Sequence, residues 1–292
     1  MSGWLAANGL VQVACIWEVT ARKVGNVHPH ADLPGMSLTD FLLSAAAIPA
    51  AFEDGCGRGV GLAIWSAVEA TREVVGHNTN LGIILLTAPL VAVRNSVRLR
   101  DGVSAVLGDL TVRDAEDAFQ GIRLANPGGL GRAPDQDVRQ HPTVTLLEAM
   151  RLAADRDMVA RQYANGFADV FDFGTPAFLD AFGRFGCVEA AVIDSQLRWL
   201  AEYPDSLIAR KKGPAVAEDV RKRAVEVLRL GGIATADGRR AGVALDKHLR
   251  SDGNRLNPGT TADLITACLF VALRENKVTP SAPFRWHAED WL

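Results

Sequence analysis

Three short polar stretches of this chain carry the residue types that hold phosphates, sugars and divalent cations. They are Glu18 to Asp32 (EVTARKVGNVHPHAD), Gly76-His77-Asn78-Thr79-Asn80-Leu81-Gly82, and Asn257-Pro258-Gly259-Thr260-Thr261-Ala262-Asp263. In the third, a polar turn containing glycine stands directly before an apolar run, Leu264 to Leu273. A helix beginning there aims unpaired backbone N–H groups, the Thr260 and Thr261 hydroxyls and the Asp263 carboxylate into one small volume. Such a volume suits phosphate oxygens and a bound metal ion.

Each stretch also has an ordinary structural explanation. Glu18 stands four residues after Ala14 and seven after Val11, beside the apolar stripe of a predicted helix, so its charge needs a partner. Arg22 at i+4 would supply one as a surface ion pair, and Gly25-Asn26 has the form of a C-terminal cap. Lys23, Asn26, His28, His30 and Asp32 nevertheless crowd the following loop more densely than capping requires. The functional reading makes Lys23 a phosphate partner and the carboxylates metal ligands or a base. In the second stretch one N-cap accounts for one of Asn78, Thr79 and Asn80, not for the whole run, whose amides and hydroxyl suit ribose hydroxyls or phosphate oxygens. In the third, Thr260 with Asp263 fits a variant capping box. Arg210-Lys211-Lys212 before Gly213 either clamps a polyphosphate or is a solvated helix end where positive charge is favoured.

Other signals fall short. Gly55-Cys56-Gly57-Arg58-Gly59-Val60-Gly61 matches neither the dinucleotide fingerprint nor the Walker A pattern. No His-x-x-x-His pair exists among the six histidines, which argues against a zinc enzyme. Cys15, Cys56, Cys187 and Cys268 lie far apart, as buried reduced thiols do and disulfide frameworks do not.

The elements that must position these groups are helical. Apolar residues recur at helical spacing, as in Leu10, Val13, Ala14, Trp17 and Ala21, or Ile64, Trp65, Val68 and Val75, and strand alternation is hard to find. Ser37 to Asp40 and Thr111 to Asp114 have the form of capping boxes before further helices. Leu146 to Phe171, Cys187 to Tyr203, Val216 to Leu230 and Asp263 to Arg274 read as helices, and Pro89 should kink or end the run it interrupts. The expectation is an all-α, single-domain bundle of about ten to twelve helices spanning residues 1–292. The one long helix-free stretch, the Gly/Pro-rich loop at 126–142, is expected to be an active-site flap rather than a linker.

Composition narrows the partners. The 292 residues are 48% hydrophobic with a net charge of −3, and no long run of either sign offers a footprint for nucleic acid or anionic lipid. The longest uncharged apolar run, Leu81 to Val93, is short of the about 20 residues a membrane span needs. A cytoplasmic protein with small-molecule partners follows, with a homodimer possible if tryptophans such as Trp286 and Trp291 form a surface rather than dock on their own core.

Glu18 with Lys23-Val24-Gly25-Asn26-Val27, His77 to Gly82, Asp205-Ser206-Leu207-Ile208-Ala209-Arg210, and Asn257-Pro258-Gly259 with Ala262-Asp263-Leu264 fall in an order that resembles the triphosphoribosyl-dephospho-CoA synthase family, over most of the chain. The resemblance implies an all-helical enzyme that moves the triphosphoribosyl part of ATP onto the ribose 2′-hydroxyl of dephospho-CoA and releases adenine. The family has Pro where Val24 stands, and a tight His-x-Asp-Met cluster where this chain has His30, Asp32 and a displaced Met36.

Carried onto these residues, the implied chemistry makes Glu18 the carboxylate that stabilises positive charge at C1′. Asp32 or His28 serves as base. Asp263, with Glu18 and Asp32, ligates Mg²⁺. Lys23, Gly25, Asn26, His77, Asn78, Thr79, Asn80, Arg210, Lys211, Gly259, Thr260 and Thr261 hold nucleotide and phosphate. Two other functions remain open: a kinase or ligase of tetrahydromethanopterin or methanofuran cofactor synthesis, and a non-catalytic helical scaffold whose polar segments are only caps.

Overall fold

The computed structural model describes residues 6–292, without the side chains of residues 54–56. Cys56 therefore lies outside the described residues, while Cys15, Cys187 and Cys268 are buried free thiols. Fourteen α-helices and no β-strand occur among the described residues. They are α1 (Ala7–Thr20), α2 (Leu38–Cys56), α3 (Val60–Val75), α4 (Leu81–Val91), α5 (Leu99–Gly108), α6 (Val112–Ala125), α7 (Leu146–Arg151), α8 (Met158–Ala164), α9 (Thr175–Phe185), α10 (Val188–Glu202), α11 (Ser206–Lys212), α12 (Pro214–Arg229), α13 (Ala236–Arg250) and α14 (Gly259–Arg274).

The helix total exceeds the expected ten to twelve for physical reasons. The segment expected as one helix from Leu146 to Phe171 is two, α7 and α8, followed by a π-helical turn at Asp169–Gly174 that leads into α9. Asp157 caps α8 by accepting from the Val159 and Ala160 amides, and Gly166 and Phe167, both at positive φ, end it. Helix α13 escapes the apolar pattern because few of its residues, Leu245 and Leu249 among them, reach the core. The capping boxes expected at Ser37/Asp40 and Thr111/Asp114 are formed. Pro89 ends its helix within two residues.

Helix α14 is the central post. Residues Leu264 to Leu273 are all buried, and it packs on α1, α4, α8, α9, α10 and α11. A helix apolar on every side belongs inside a bundle, because only there is each face removed from water. Helix α10 faces two ways: Val188, Ala191, Val192 and Trp199 join the larger core, while Ala190, Ile193, Leu197 and Leu200 join a second one with α12 and α13. The C-terminal segment closes over this second core. Trp291 donates its indole N–H to the Arg22 carbonyl at 2.9 Å, and Trp286 packs beside it at 5.9 Å between ring centres. Both tryptophans are thus docked on their own chain. No helix among the described residues is long and apolar enough to cross a membrane.

Candidate active site

The ends of α1, α11 and α14 and the start of α4 open onto one cavity of about 720 Å³. Glu18, Asn26, His77, Asn78, Thr79, Asn80, Arg210, Lys211, Gly259, Thr260 and Asp263 all line it, so the three polar stretches converge. The loop at 126–142 forms one wall, from Asn126 and Pro127 through Leu130 and Arg132 to Val138. Gly128 lies against Lys211 and Gly129 against Arg210, so the loop bridges from α6 to α11. Phe119 and Ile122 of α6 and Met150 of α7 make an apolar side to the same space.

Two carboxylates mark the polar side. Glu18 is buried in the last turn of α1, and its Oε1 accepts from Lys23 Nζ at 3.0 Å. Burial pushes this carboxyl above its ordinary value, and Lys23 opposes the shift. The anticipated Glu18–Arg22 pair does not form, because Arg22 turns to Glu189 at 2.6 Å. Asp263 projects from the second turn of α14 and receives no hydrogen bond among the described residues. Burial and the neighbouring charges of Glu18 and Asp205 push it well above the usual carboxylate range, Arg210 opposes, and Asp157 adds to the rise. A like charge close by raises the proton affinity of a buried carboxyl.

Helix α14 is not capped as the Thr260/Asp263 spacing suggests. Asp205 Oδ2 accepts from both the Thr261 amide and the Thr261 hydroxyl at 2.8 Å, while its Oδ1 caps α11 through the Leu207 and Ile208 amides. Thr261 is therefore turned away from the cavity, and two of the amides expected to be free are taken, that of Thr261 by Asp205 and that of Gly259 by the Asn257 carbonyl at 2.9 Å. Thr260 stays on the cavity wall and accepts from Ser206 at 3.1 Å. Arg210 is ion-paired with Asp157, a cavity residue invisible in the sequence because it sits inside what reads as continuous helix. Lys211 donates to the Asn254 carbonyl at 3.2 Å, and burial lowers its pKa.

Several expected residues stand elsewhere. Lys23 is fully buried behind Glu18, bonded to the Glu18 carbonyl at 2.5 Å and the Ala21 carbonyl at 3.4 Å. His28 is buried away from the cavity; burial and the Arg250 charge lower its pKa to about 3. Asp32 is exposed and accepts from the Leu38 amide at 3.0 Å, so it braces the entry to α2. Gly25 holds φ +71°, with Leu249 where a side chain would be, and donates to Asp246 at 2.7 Å. Asn26 bonds Asn257 at 2.6 Å and Gln196 at 2.7 Å, tying the first stretch to the third. The Val24 amide, which a proline would lack, donates to Gln196 Oε1 at 2.9 Å. Met36, with Pro34 and Gly35, reaches the cavity rim.

At the start of α4, Asn78 accepts from the Leu81 amide at 3.1 Å and Asn80 donates to Thr71 at 3.1 Å. The Thr79 hydroxyl meets that of Ser44 at 2.5 Å. Arg72, Arg132 and Arg156 also line the cavity. They lie outside the polar helix ends, where sequence gives no reason to single them out.

Fold and site together define an all-α protein built around one large cleft, acidic on one wall, cationic at its edges and apolar on the far side. The chain belongs to the ATP:dephospho-CoA triphosphoribosyl transferase family, whose model matches residues 5–281. It is 29% identical over 204 residues to a Pseudomonas putida protein named "Probable 2-(5''-triphosphoribosyl)-3'-dephosphocoenzyme-A synthase", covering 67% of this chain and 62% of that one. A Pseudomonas syringae pv. syringae protein of the same name is 28% identical over 68% of this chain and 67% of its own. A crystal structure from Archaeoglobus fulgidus, named "putative triphosphoribosyl-dephospho-coA synthase", superposes with a TM-score of 0.62 at 26% identity, covering 80% of this chain and 98% of that one.

Proposed function

We propose that this protein transfers the triphosphoribosyl group of ATP to a hydroxyl of dephospho-CoA or a similar nucleotide-type acceptor and releases adenine. The observation that carries the reading is that Glu18 and Asp263, 245 positions apart in the chain, line one cavity together with Asn78, Asn80, Thr260 and Arg210. In the reaction the bond from C1′ to the adenine nitrogen breaks, with its electron pair leaving on adenine, and the acceptor oxygen bonds to C1′. The hydroxyl loses one proton and adenine gains one. Glu18 is the carboxylate set to offset charge at C1′ and to take the hydroxyl proton, since its raised pKa suits a base. Asp32 and His28 are off the cavity and are not assigned that part. Asn78, Thr79, Asn80 and Thr260 orient sugar and phosphate oxygens, and Lys211 and Arg210 hold the triphosphate.

The residues also fit a divalent cation. Asp263 has no donor and shares its wall with Glu18 and Asp157, so a hard cation would relieve the like-charge repulsion. No three His, Cys, Asp or Glu residues are close enough to chelate a metal by themselves among the described residues. Mg²⁺ keeps waters and phosphate oxygens as ligands and needs only one or two carboxylates from the protein. Bound Mg²⁺ would neutralise the triphosphate. Cytoplasmic location and the lack of nucleic-acid partners belong to the same reading; the docked Trp286 and Trp291 leave little motive for a dimer through them.

The test is incubation with ATP, Mg²⁺ and dephospho-CoA, with products identified by mass. Free adenine and a triphosphoribosyl adduct are expected, and both are expected to vanish with chelator. ADP or AMP without adenine would reject the reading and point to phosphoryl transfer or ligation instead.

A further inference from the structure

Lys23 is the largest charged side chain sealed inside this protein, at 0% exposure. Its ammonium has three N–H donors, and three acceptors surround it: Glu18 Oε1 at 3.0 Å, the Glu18 carbonyl at 2.5 Å and the Ala21 carbonyl at 3.4 Å. No donor is left for a ligand. Glu18 lines the cavity and Lys23 does not. Nearby charges are otherwise engaged: Glu189 from α10 binds Arg22 and the Trp286 amide, and Arg250 from α13 binds Asp246 and the Asn26 carbonyl. From α14, Asp263 faces Glu18 with a like charge. Lys23 is thus the cation against Glu18, and it approaches from the side opposite the cavity.

We propose that Lys23 is a positioning residue that acts through Glu18, fixing the carboxylate's direction and charge toward the cavity, and that it makes no contact with the triphosphate. This rests on the reading of Glu18 given above. The turn from α1 serves the purpose: the Lys23 amide bonds the Ala21 carbonyl at 2.8 Å, which folds the side chain back under the end of the helix. Without the ammonium, Glu18 would lose the side-chain partner that fixes its direction, and it would turn aside.

The experiment is a double-mutant cycle. Adenine release from ATP is measured for the wild type, Lys23→Met, Glu18→Gln and the double variant, with ATP affinity by calorimetry. Lys23→Met is expected to lower kcat about 100-fold, the range for loss of one charge-stabilising group, while KM and Kd for ATP stay within about threefold. In the Glu18→Gln background the same substitution should cost less than about threefold, because residues acting as a unit are non-additive. A rise of about tenfold or more in KM for ATP with kcat retained would make Lys23 a phosphate ligand and overturn the proposal. So would an equal loss in both backgrounds. Where Lys23→Met alone does not fold, the double variant, which leaves no unpaired charge, is compared with Glu18→Gln under the same criterion. If the wild type releases no adenine, the reaction assigned above fails. The calorimetry still decides this point: Lys23→Met binding ATP like the wild type supports it, and lost binding overturns it.

Discussion

Gly82 in the first turn of α4 lies directly against Asp263, and a methyl group at residue 82 would overlap its Oδ2. The absent side chain is the space the carboxylate occupies. Gly82→Ala should therefore displace Asp263 from the cavity wall. A misplacement of about 1 Å in a reacting constellation can cost about 100-fold, so adenine release should fall by that order. The overpacking should cost about 1–3 kcal/mol of stability. Thermal unfolding and steady-state kinetics on the same sample separate the two, and full turnover in a folded Gly82→Ala would remove Asp263 from the chemistry.

Asp205 joins two helices through four hydrogen bonds, two to α11 and two to Thr261 of α14. Burial pushes its carboxyl up, with the four donors pulling it back. Asp205→Ala strips a cap from each helix and leaves buried N–H groups without partners. Such losses cost about 2–3 kcal/mol. Urea unfolding should show that drop, together with lost activity, since the helices carrying Arg210 and Asp263 would no longer be held in register. A stability change within experimental error would mean that water replaces the carboxylate.

Asp169 gathers donors from Arg161, Gln162 and Asn165 at the start of the π-helical turn. Burial pushes its pKa up, but these bonds prevail and hold it below the ordinary carboxylate value. A group depressed on folding contributes stability above its unfolded pKa and loses it as pH falls through the folded one. The stability gap between wild type and Asp169→Asn should thus be widest near neutral pH and shrink below about pH 4, the ordinary aspartate range. A gap independent of pH would assign the effect to packing rather than charge.

Much of this was readable in the chain. Helical spacing and the capping boxes at Ser37 and Thr111 announced the fold, and the three polar helix ends announced the cleft, because a run of amides, hydroxyls and carboxylates exceeds what capping uses. What local patterns omit is direction. Lys23 and Glu18 are five residues apart, yet the turn after α1 sends one to the cavity and the other behind it. Thr260 and Thr261 are adjacent, but Asp205, more than fifty positions away, decides which hydroxyl faces inward. Asp157 was hidden for another reason: its capping role breaks a segment whose apolar spacing runs on unbroken through Phe171.

The loop at 126–142 is a cavity wall tied together by its own bonds, with Val138 packed on the main core. Asp137 accepts from the Ala133 amide at 2.9 Å and from the Arg139 amide and guanidinium, while Arg123 donates to the Val138 carbonyl. The Arg139 and amide donors hold the Asp137 carboxyl well below the usual range. Asp137→Ala removes the knot without touching the helices. Ordering the loop on binding then costs about 1 kcal/mol more, so KM should rise about five- to tenfold with kcat little changed. Asp137 is itself buried, but most of the loop around it is exposed and water can take over its donors, so Tm should move by less than about 2 °C. Limited proteolysis supplies the independent readout, with faster cleavage inside 126–142 in the variant and protection restored by ATP. Wild-type KM together with wild-type cleavage would show that the loop keeps its shape without Asp137, and that the wall's order comes from its contacts with Arg210 and Lys211.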